Sequence, residues 1–89
     1  MSFKLGFIGA GNMAGAIISS VVKNNLYYPE DISICEKNEV RRAEYANRGF
    51  STVENEAELV RRSNFVFIAV KPADLREVLE KIAPHITIN

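Results

Sequence analysis

The chain has 89 residues, 47% of them hydrophobic, which is enough for one compact domain with a modest core. Eleven Lys plus Arg balance eleven Asp plus Glu, so there is no basic field to draw in nucleic acid or an anionic membrane. The single cysteine, Cys35, excludes an internal disulfide and a multi-thiolate metal centre, and no uninterrupted apolar run nears the roughly 18 residues that a membrane span requires.

The chain opens MSFKLGFIGAG, without the separate basic region, long apolar core and cleavage site of a signal peptide, so a soluble, cytoplasmic protein is expected. Residues 3–9 are too short and too apolar for a surface helix and predict a buried first strand. A helix follows over residues 12–23, where Met13, Ile17, Ile18, Val21 and Val22 form one wide apolar face; Asn24 and Asn25 stop it. NNLYYPED is a connecting loop, and residues 32–36 predict a second strand with Ile32 and Ile34 on one face. Cys35, within that strand, reads as a small buried apolar residue. A charged amphipathic helix over residues 39–48 ends at Gly49, the residue type that relieves the left-handed turn past a helix C-terminus.

Residues 50–53 predict a short third strand and residues 55–62 a short helix. NFVFIAV, residues 64–70, is the most apolar run in the chain and predicts a strand covered on both faces. Pro72 opens a helix through about residue 83, in the first-turn position where a missing N–H costs nothing, and HITIN is a fifth strand just begun. No repeat or Pro/Gly/Ser linker interrupts this alternation of short apolar runs and helix-period segments. The expected fold is therefore α/β: a Rossmann-type doubly wound parallel sheet of order 3-2-1-4-5, truncated at the start of strand 5.

Gly9, Gly11 and Ala14 fit G-x-G-x-x-[GA], a pattern that names a ligand when a strand leads in and a helix leads out. Both flanking elements are predicted here. Gly9 permits the tight turn, Gly11 leaves a pyrophosphate unobstructed, and Ala14 lets the helix approach the sheet. Amides at the helix N-terminus, at the positive end of its dipole, then face the phosphates. The competing reading is that these small residues serve only helix–sheet packing. In the expected strand order, strands one and four flank the point where the winding reverses, which brings Ala69, Val70, Lys71 and Pro72 beside the glycine turn on the nicotinamide side. Lys71 is either a solvated cap or a contact to the cofactor's ribose or phosphate.

Glu36 lies twenty-two residues after Ala14, close to the offset of the acidic residue that accepts hydrogen bonds from the adenosine ribose. A carboxylate there repels a 2′-phosphate, which points towards NAD. Against it stand Lys37, Arg41 and Arg42, cations that suit such a phosphate, although a solvated helix face is the favoured reading of the arginine pair. Glu54, Glu56 and Glu58 read as surface charge. His85 reads as a loop residue, with no partner near it in sequence for acid–base work.

GFIGAGNMAGAI, the loop before DISIC, TVEN and FVFIAVKPADLREVLEKIAPHI together resemble the N-terminal domain of pyrroline-5-carboxylate reductases, over essentially the entire chain. That resemblance implies a reduction in which NADPH or NADH gives a hydride to the cyclic imine of 1-pyrroline-5-carboxylate, making proline. It also implies cofactor contacts from Ile8, Gly9, Ala10, Gly11, Asn12 and Met13 at the pyrophosphate. Glu36 and Lys37 would lie at the adenosine ribose, Asn55 near the adenosine, and Ala69, Val70, Lys71 and Pro72 towards the nicotinamide. No catalytic residue and no metal ligand falls among these positions.

Family members that use NADPH often carry small or basic residues after the second strand, whereas this chain has Glu36. They also continue into a helical domain that supplies the substrate pocket and dimer interface. Residues 1–89 are accordingly expected to be the NAD(P)-binding domain, with substrate reduction and homo-oligomer formation dependent on that absent domain. Three alternatives share the cofactor fold: a 3-hydroxyacid or 6-phosphogluconate dehydrogenase type, a non-catalytic NAD-sensing regulatory module, and a paralogue with altered activity.

Overall fold

The computed structural model describes residues 4–9 and 11–86, with only the main chain of Asn12 and Met13. Four parallel strands, β1 (Leu5–Ile8), β2 (Ile32–Cys35), β3 (Ser51–Val53) and β4 (Phe65–Ile68), form a sheet in the order β3-β2-β1-β4. The helices α1 (Asn12–Lys23), α2 (Glu39–Asn47) and α3 (Glu56–Arg62) supply the crossovers, and α4 (Pro72–Ile82) follows β4. This is the predicted doubly wound order as far as strand four. The fifth strand was expected from HITIN, but His85 closes a 3-10 turn, Ala83–His85, and residues 87–89 lie outside the described residues.

Register explains how the sheet divides its side chains. Leu5 pairs with Ile32 and Phe65, and Phe7 with Ile34 and Phe67, so these residues share one face. There Leu5, Phe7, Ile32 and Ile34 pack with Ala14 and Ile18 of α1, Tyr45 of α2, and Phe50. On the other face Ile8, Cys35 and Val53 pack with Leu59 of α3 and with Val78 and Ile82 of α4. Phe7 has no exposed surface; truncating such a side chain to alanine costs about 3–5 kcal/mol. Gly6 makes the second layer close. A Cβ there would sit 2.7 Å from the Leu59 Cδ2 atom and 3.0 Å from the Ser63 Cβ atom, so α3 rests directly on β1.

The C-terminal ends of α1 and α2 and the start of α4 follow the residues predicted to make them, and two further caps are added by Asn38 and Asn55. Asn24 caps α1, its side-chain amide donating to the Ser20 carbonyl at 2.7 Å, and Asn25 turns left-handed at φ 57°. Gly49, at φ 94°, leads the chain out of α2. Asn38 and Asn55 cap α2 and α3 by accepting from the Arg41 and Glu58 amides. Pro72 takes the first position of α4. Boundaries move by a residue: β2 stops at Cys35, β3 starts at Ser51, and α4 ends at Ile82. Within NNLYYPED, Pro29–Asp31 forms a 3-10 turn. No helix among the described residues is long and apolar enough to cross a membrane.

Two expectations about burial fail. β4 is not covered on both faces: Phe65 is 53% and Phe67 42% exposed. β4 ends the described sheet, and the layer of α1 and α2 sits over the strands beside it, whereas Val66 and Ile68 on the opposite face meet α3 and α4. Phe67 finds its cover by stacking on Phe7, with ring centroids 4.9 Å apart. For the same reason Ile17, assigned to the apolar face of α1, is exposed, and α1 docks through Ala14 and Ile18.

Candidate functional site

The carboxyl ends of β1, β2 and β4 meet at Gly9. Its amide donates to the Cys35 carbonyl at 2.9 Å, while the Ala69 amide donates to the Ile8 carbonyl at 2.8 Å, so the turn is stitched to both neighbouring strands. Gly9 adopts φ 88°, a left-handed conformation that side chains disfavour. A Cβ there would also collide with the Ala69 carbonyl oxygen and lie 3.0 Å from its carbon. The glycine turn and the tail of the fourth strand are therefore in contact.

Gly11 is different. It is the N-cap of α1 at φ −74° and ψ −165°, a backbone open to any residue, and a Cβ there would meet nothing within 4 Å. Neither conformation nor packing within the described residues demands a glycine at this place. Helix α1 begins without a side-chain cap and without an acidic residue in its first turn, unlike the Asn-capped α2 and α3. The first amides of a helix have no intrahelical acceptor, and the start of α1 has no side-chain cap to supply one. Ala14, 1% exposed, brings the helix onto the sheet.

Beside this turn lies a cavity of about 160 Å³ lined by Ile8, Gly9, Cys35, Glu36, Lys37, Glu56, Val70, Asp74 and Val78. That is below the roughly 300 Å³ of the smaller drug-sized pockets, a volume for one part of an extended ligand. Its walls are apolar at Ile8, Val70 and Val78, and its rim carries three carboxylates against one ammonium. Glu36 is fixed in place. Its Oε1 accepts from Arg41 Nη1 at 3.1 Å, its Oε2 accepts from the Asn38 amide at 2.9 Å, and its carbonyl accepts from Arg42 Nη1 at 3.1 Å. Arg41 is exposed, as expected of a solvated helix face, and Arg42 is half-buried, but both also reach back to Glu36, because α2 starts directly beyond it.

Four lining residues escaped the sequence reading as site residues: Cys35, Glu56, Asp74 and Val78. Glu56, grouped there with the surface charges, is 6% exposed, since the first residue of α3 points back over the strand ends rather than outwards. Burial, and then the Glu56 charge, push the Cys35 thiol up to about 11, so it stays protonated and unreactive at neutral pH. Asp74 and Val78 stand one helical turn apart on α4, a spacing that in principle marks them as one face.

Of the predicted site residues, Ile8, Gly9, Glu36, Lys37 and Val70 line the cavity, and Ala69 touches Gly9 through its main chain. Ala10 lies outside the described residues, and Asn12 and Met13 are placed at the start of α1. Asn55 is exposed and committed to capping α3, one residue before Glu56. Lys71 and Pro72 open α4 and are exposed, away from the cavity lining. Among the described residues no group of His, Cys, Asp and Glu is arranged to hold a metal ion.

Residues 4–88 match the family described as NADP oxidoreductase coenzyme F420-dependent. The chain is 37% identical over 86 residues to the pyrroline-5-carboxylate reductase of Staphylococcus saprophyticus, covering 94% of this chain and 32% of that protein. Among solved structures, a pyrroline-5-carboxylate reductase from Coxiella burnetii superposes with a TM-score of 0.86 at 25% identity, over 94% of this chain and 31% of that one. The Plasmodium falciparum pyrroline carboxylate reductase, solved with NADP bound, gives 0.80 at 26% identity, over 94% of this chain and 30% of that one. The chain spans about a third of the length of the curated relatives it matches.

Proposed function

Because the chain belongs to the NADP oxidoreductase coenzyme F420-dependent family, we propose that it is the nicotinamide-dinucleotide-binding domain of a reductase of the pyrroline-5-carboxylate type. The observation that carries this reading is the contrast within the glycine turn. Gly9 is required by its own backbone and by Ala69, whereas a Cβ at Gly11 would meet open space at the start of a helix that no side chain caps. A diphosphate is the group that such a start accommodates, through amide donors and the positive end of the helix dipole.

In this arrangement the main chain from Ile8 to Met13, Ala10 included, holds the pyrophosphate. Glu36 and Lys37 stand at the adenosine ribose, and Asn55 lies near the adenosine. The apolar walls Ile8 and Val78 suit a flat adenine ring and exclude water from it. Ala69, Val70, Lys71 and Pro72 border the nicotinamide half. When bound, a reduced nicotinamide supplies a hydride that forms a C–H bond at the imine carbon of 1-pyrroline-5-carboxylate, while the imine nitrogen takes up a proton to give proline. Hydride transfer needs the imine held at near-attack distance, a task assigned to a helical domain outside these 89 residues, together with homo-oligomer formation. The setting is the cytoplasm.

The test is a titration of the 89-residue chain with NADH and NADPH, followed by nicotinamide fluorescence. Saturable binding is expected for the folded chain. A folded chain that binds neither dinucleotide refutes the proposal.

A further inference from the structure

One residue lining the cavity beside the glycine turn is out of place for its type, and what it implies rests on the dinucleotide reading above. Glu56 is 6% exposed, an enclosure that glutamate almost never shows unless it is paired. Its carboxylate nevertheless makes no hydrogen bond and no ion pair among the described residues. No sealed side-chain oxygen among those residues lacks a partner, so the Glu56 oxygens keep some access, and the opening they reach is the cavity the residue lines. Nearby cations do not satisfy it. Lys81 of α4, held up first by its bond to Glu77 and then by the Glu56 charge, is paired with Glu77 at 3.2 Å, and Lys37 shares the lining without bonding to Glu56. Nor does α3 need the burial, since Glu58 in the same first turn meets the helix dipole while partly exposed and paired with Arg61. A carboxylate withdrawn from water is costly unless something donates to it, and here the donor has to come through the cavity.

We infer that Glu56 reads the base of the dinucleotide, accepting a hydrogen bond from the 6-amino group of adenine and rejecting a purine that carries an oxygen at that position. The cavity of about 160 Å³ has room for one part of the ligand, and Ile8 and Val78 cover a flat ring without telling one purine from another. On an adenine ring the 6-amino group donates and the ring nitrogens accept. A carboxylate accepts, so the edge of adenine that suits it is the one bearing the amino group. Hypoxanthine presents a carbonyl oxygen there, acceptor against acceptor, and leaves the Glu56 oxygens without their donor. A site built to bond an N–H discriminates steeply against an analogue that lacks it, because an enclosed polar group of the protein is then left unpaired. Asp74 lines the same cavity but is exposed, so water serves it and no base is needed.

Isothermal titration calorimetry on the 89-residue chain tests this with two pairs of probes: NADH against nicotinamide hypoxanthine dinucleotide (reduced), and 5′-AMP against 5′-IMP. The members of each pair share their ribose and phosphates, so the base alone differs. At least tenfold tighter binding of the adenine member of each pair is expected, a comparison that needs no variant. In Glu56→Gln, whose folding is checked by circular dichroism, the preference is expected to shrink tenfold or more, and the hypoxanthine member to bind tighter than in the parent, because the new amide donates to its oxygen. Asp74→Asn leaves the preference intact. Equal or tighter binding of the hypoxanthine member in the parent overturns the inference. So does an unchanged preference in folded Glu56→Gln, an equal loss for both members there, which marks a merely structural residue, or a preference that moves with Asp74→Asn instead. Binding of both dinucleotides without discrimination fails this inference alone, whereas binding of neither fails the site reading as well.

Discussion

Replacing Gly9 by alanine and Gly11 by aspartate separates what the fold requires from what a ligand requires. At Gly9, φ is 88° and a Cβ meets the Ala69 carbonyl, a main-chain group that does not yield as a side-chain tip would. The left-handed backbone costs an alanine about 1–2 kcal/mol, and the forced contact adds roughly 1–3 kcal/mol. A chain of this size has on the order of 4–13 kcal/mol of stability in total. At about 4–8 °C per kcal/mol, Gly9→Ala is expected to lower the melting temperature by at least about 8 °C. At Gly11 the backbone already has N-cap geometry and there is open space in front. Aspartate is a favoured cap, so Gly11→Asp leaves the melting temperature unchanged or slightly higher. Its carboxylate, however, stands where the diphosphate is proposed to bind. A unit charge pair at 4 Å near a protein surface is worth about 4 kcal/mol, enough for a loss of about 100-fold or more in affinity. Thermal circular dichroism reads the first effect and fluorescence titration with NADH the second. Undiminished NADH binding in Gly11→Asp, or a Gly9→Ala melting temperature within about 2 °C of the parent, refutes the reasoning.

Gly6→Ala is expected to cost about 1–3 kcal/mol in urea denaturation, because the new methyl would lie 2.7 Å from the Leu59 Cδ2 atom of α3. The Cys35 thiol ionises near 9 when unfolded and at about 11 when folded. Its contribution is therefore complete below pH 9 and falls as pH rises through 11, by about 2–3 kcal/mol; urea midpoints against pH should show a shallower alkaline decline for Cys35→Ala. The same thiol should react slowly with a thiol reagent at pH 8 in the folded chain and promptly in urea. No oxidation of NADH or NADPH dependent on 1-pyrroline-5-carboxylate is expected from the 89-residue chain, and absorbance at the nicotinamide band checks this.

The strand order, the helix caps at Asn24 and Gly49, and the meeting of Gly9 with Ala69 follow from local chemistry and from the topology of parallel sheets, and so were legible in the residues. What was not legible depends on which neighbour covers a face. NFVFIAV is apolar throughout, but its burial is set by how far the α1 and α2 layer extends, which no residue within the run encodes. Glu56 is one of three glutamates at alternate positions in VENEAEL, and only the start of α3 at this residue, after the Asn55 cap, turns it inwards. Arg41 and Arg42 were legible as cations near Glu36 but not as its ligands, because that needs the angle at which α2 leaves the strand. Asp74 and Val78 carried a usable signal, since their one-turn spacing after Pro72 places them on the side of α4 that follows β4.

The walls of the crevice are far apart along the chain: the Ala69 amide donates to the Ile8 carbonyl, sixty-one residues back. Closing a loop of that length costs about 3–4 kcal/mol of entropy, which the pairing of β1 with β4 must offset before the binding crevice exists. A nucleotide at 100 times its dissociation constant adds about 2.7 kcal/mol to the native state, comparable to that closure cost. Nucleotide supply would then act as a clasp that shifts chains from the unfolded into the native population.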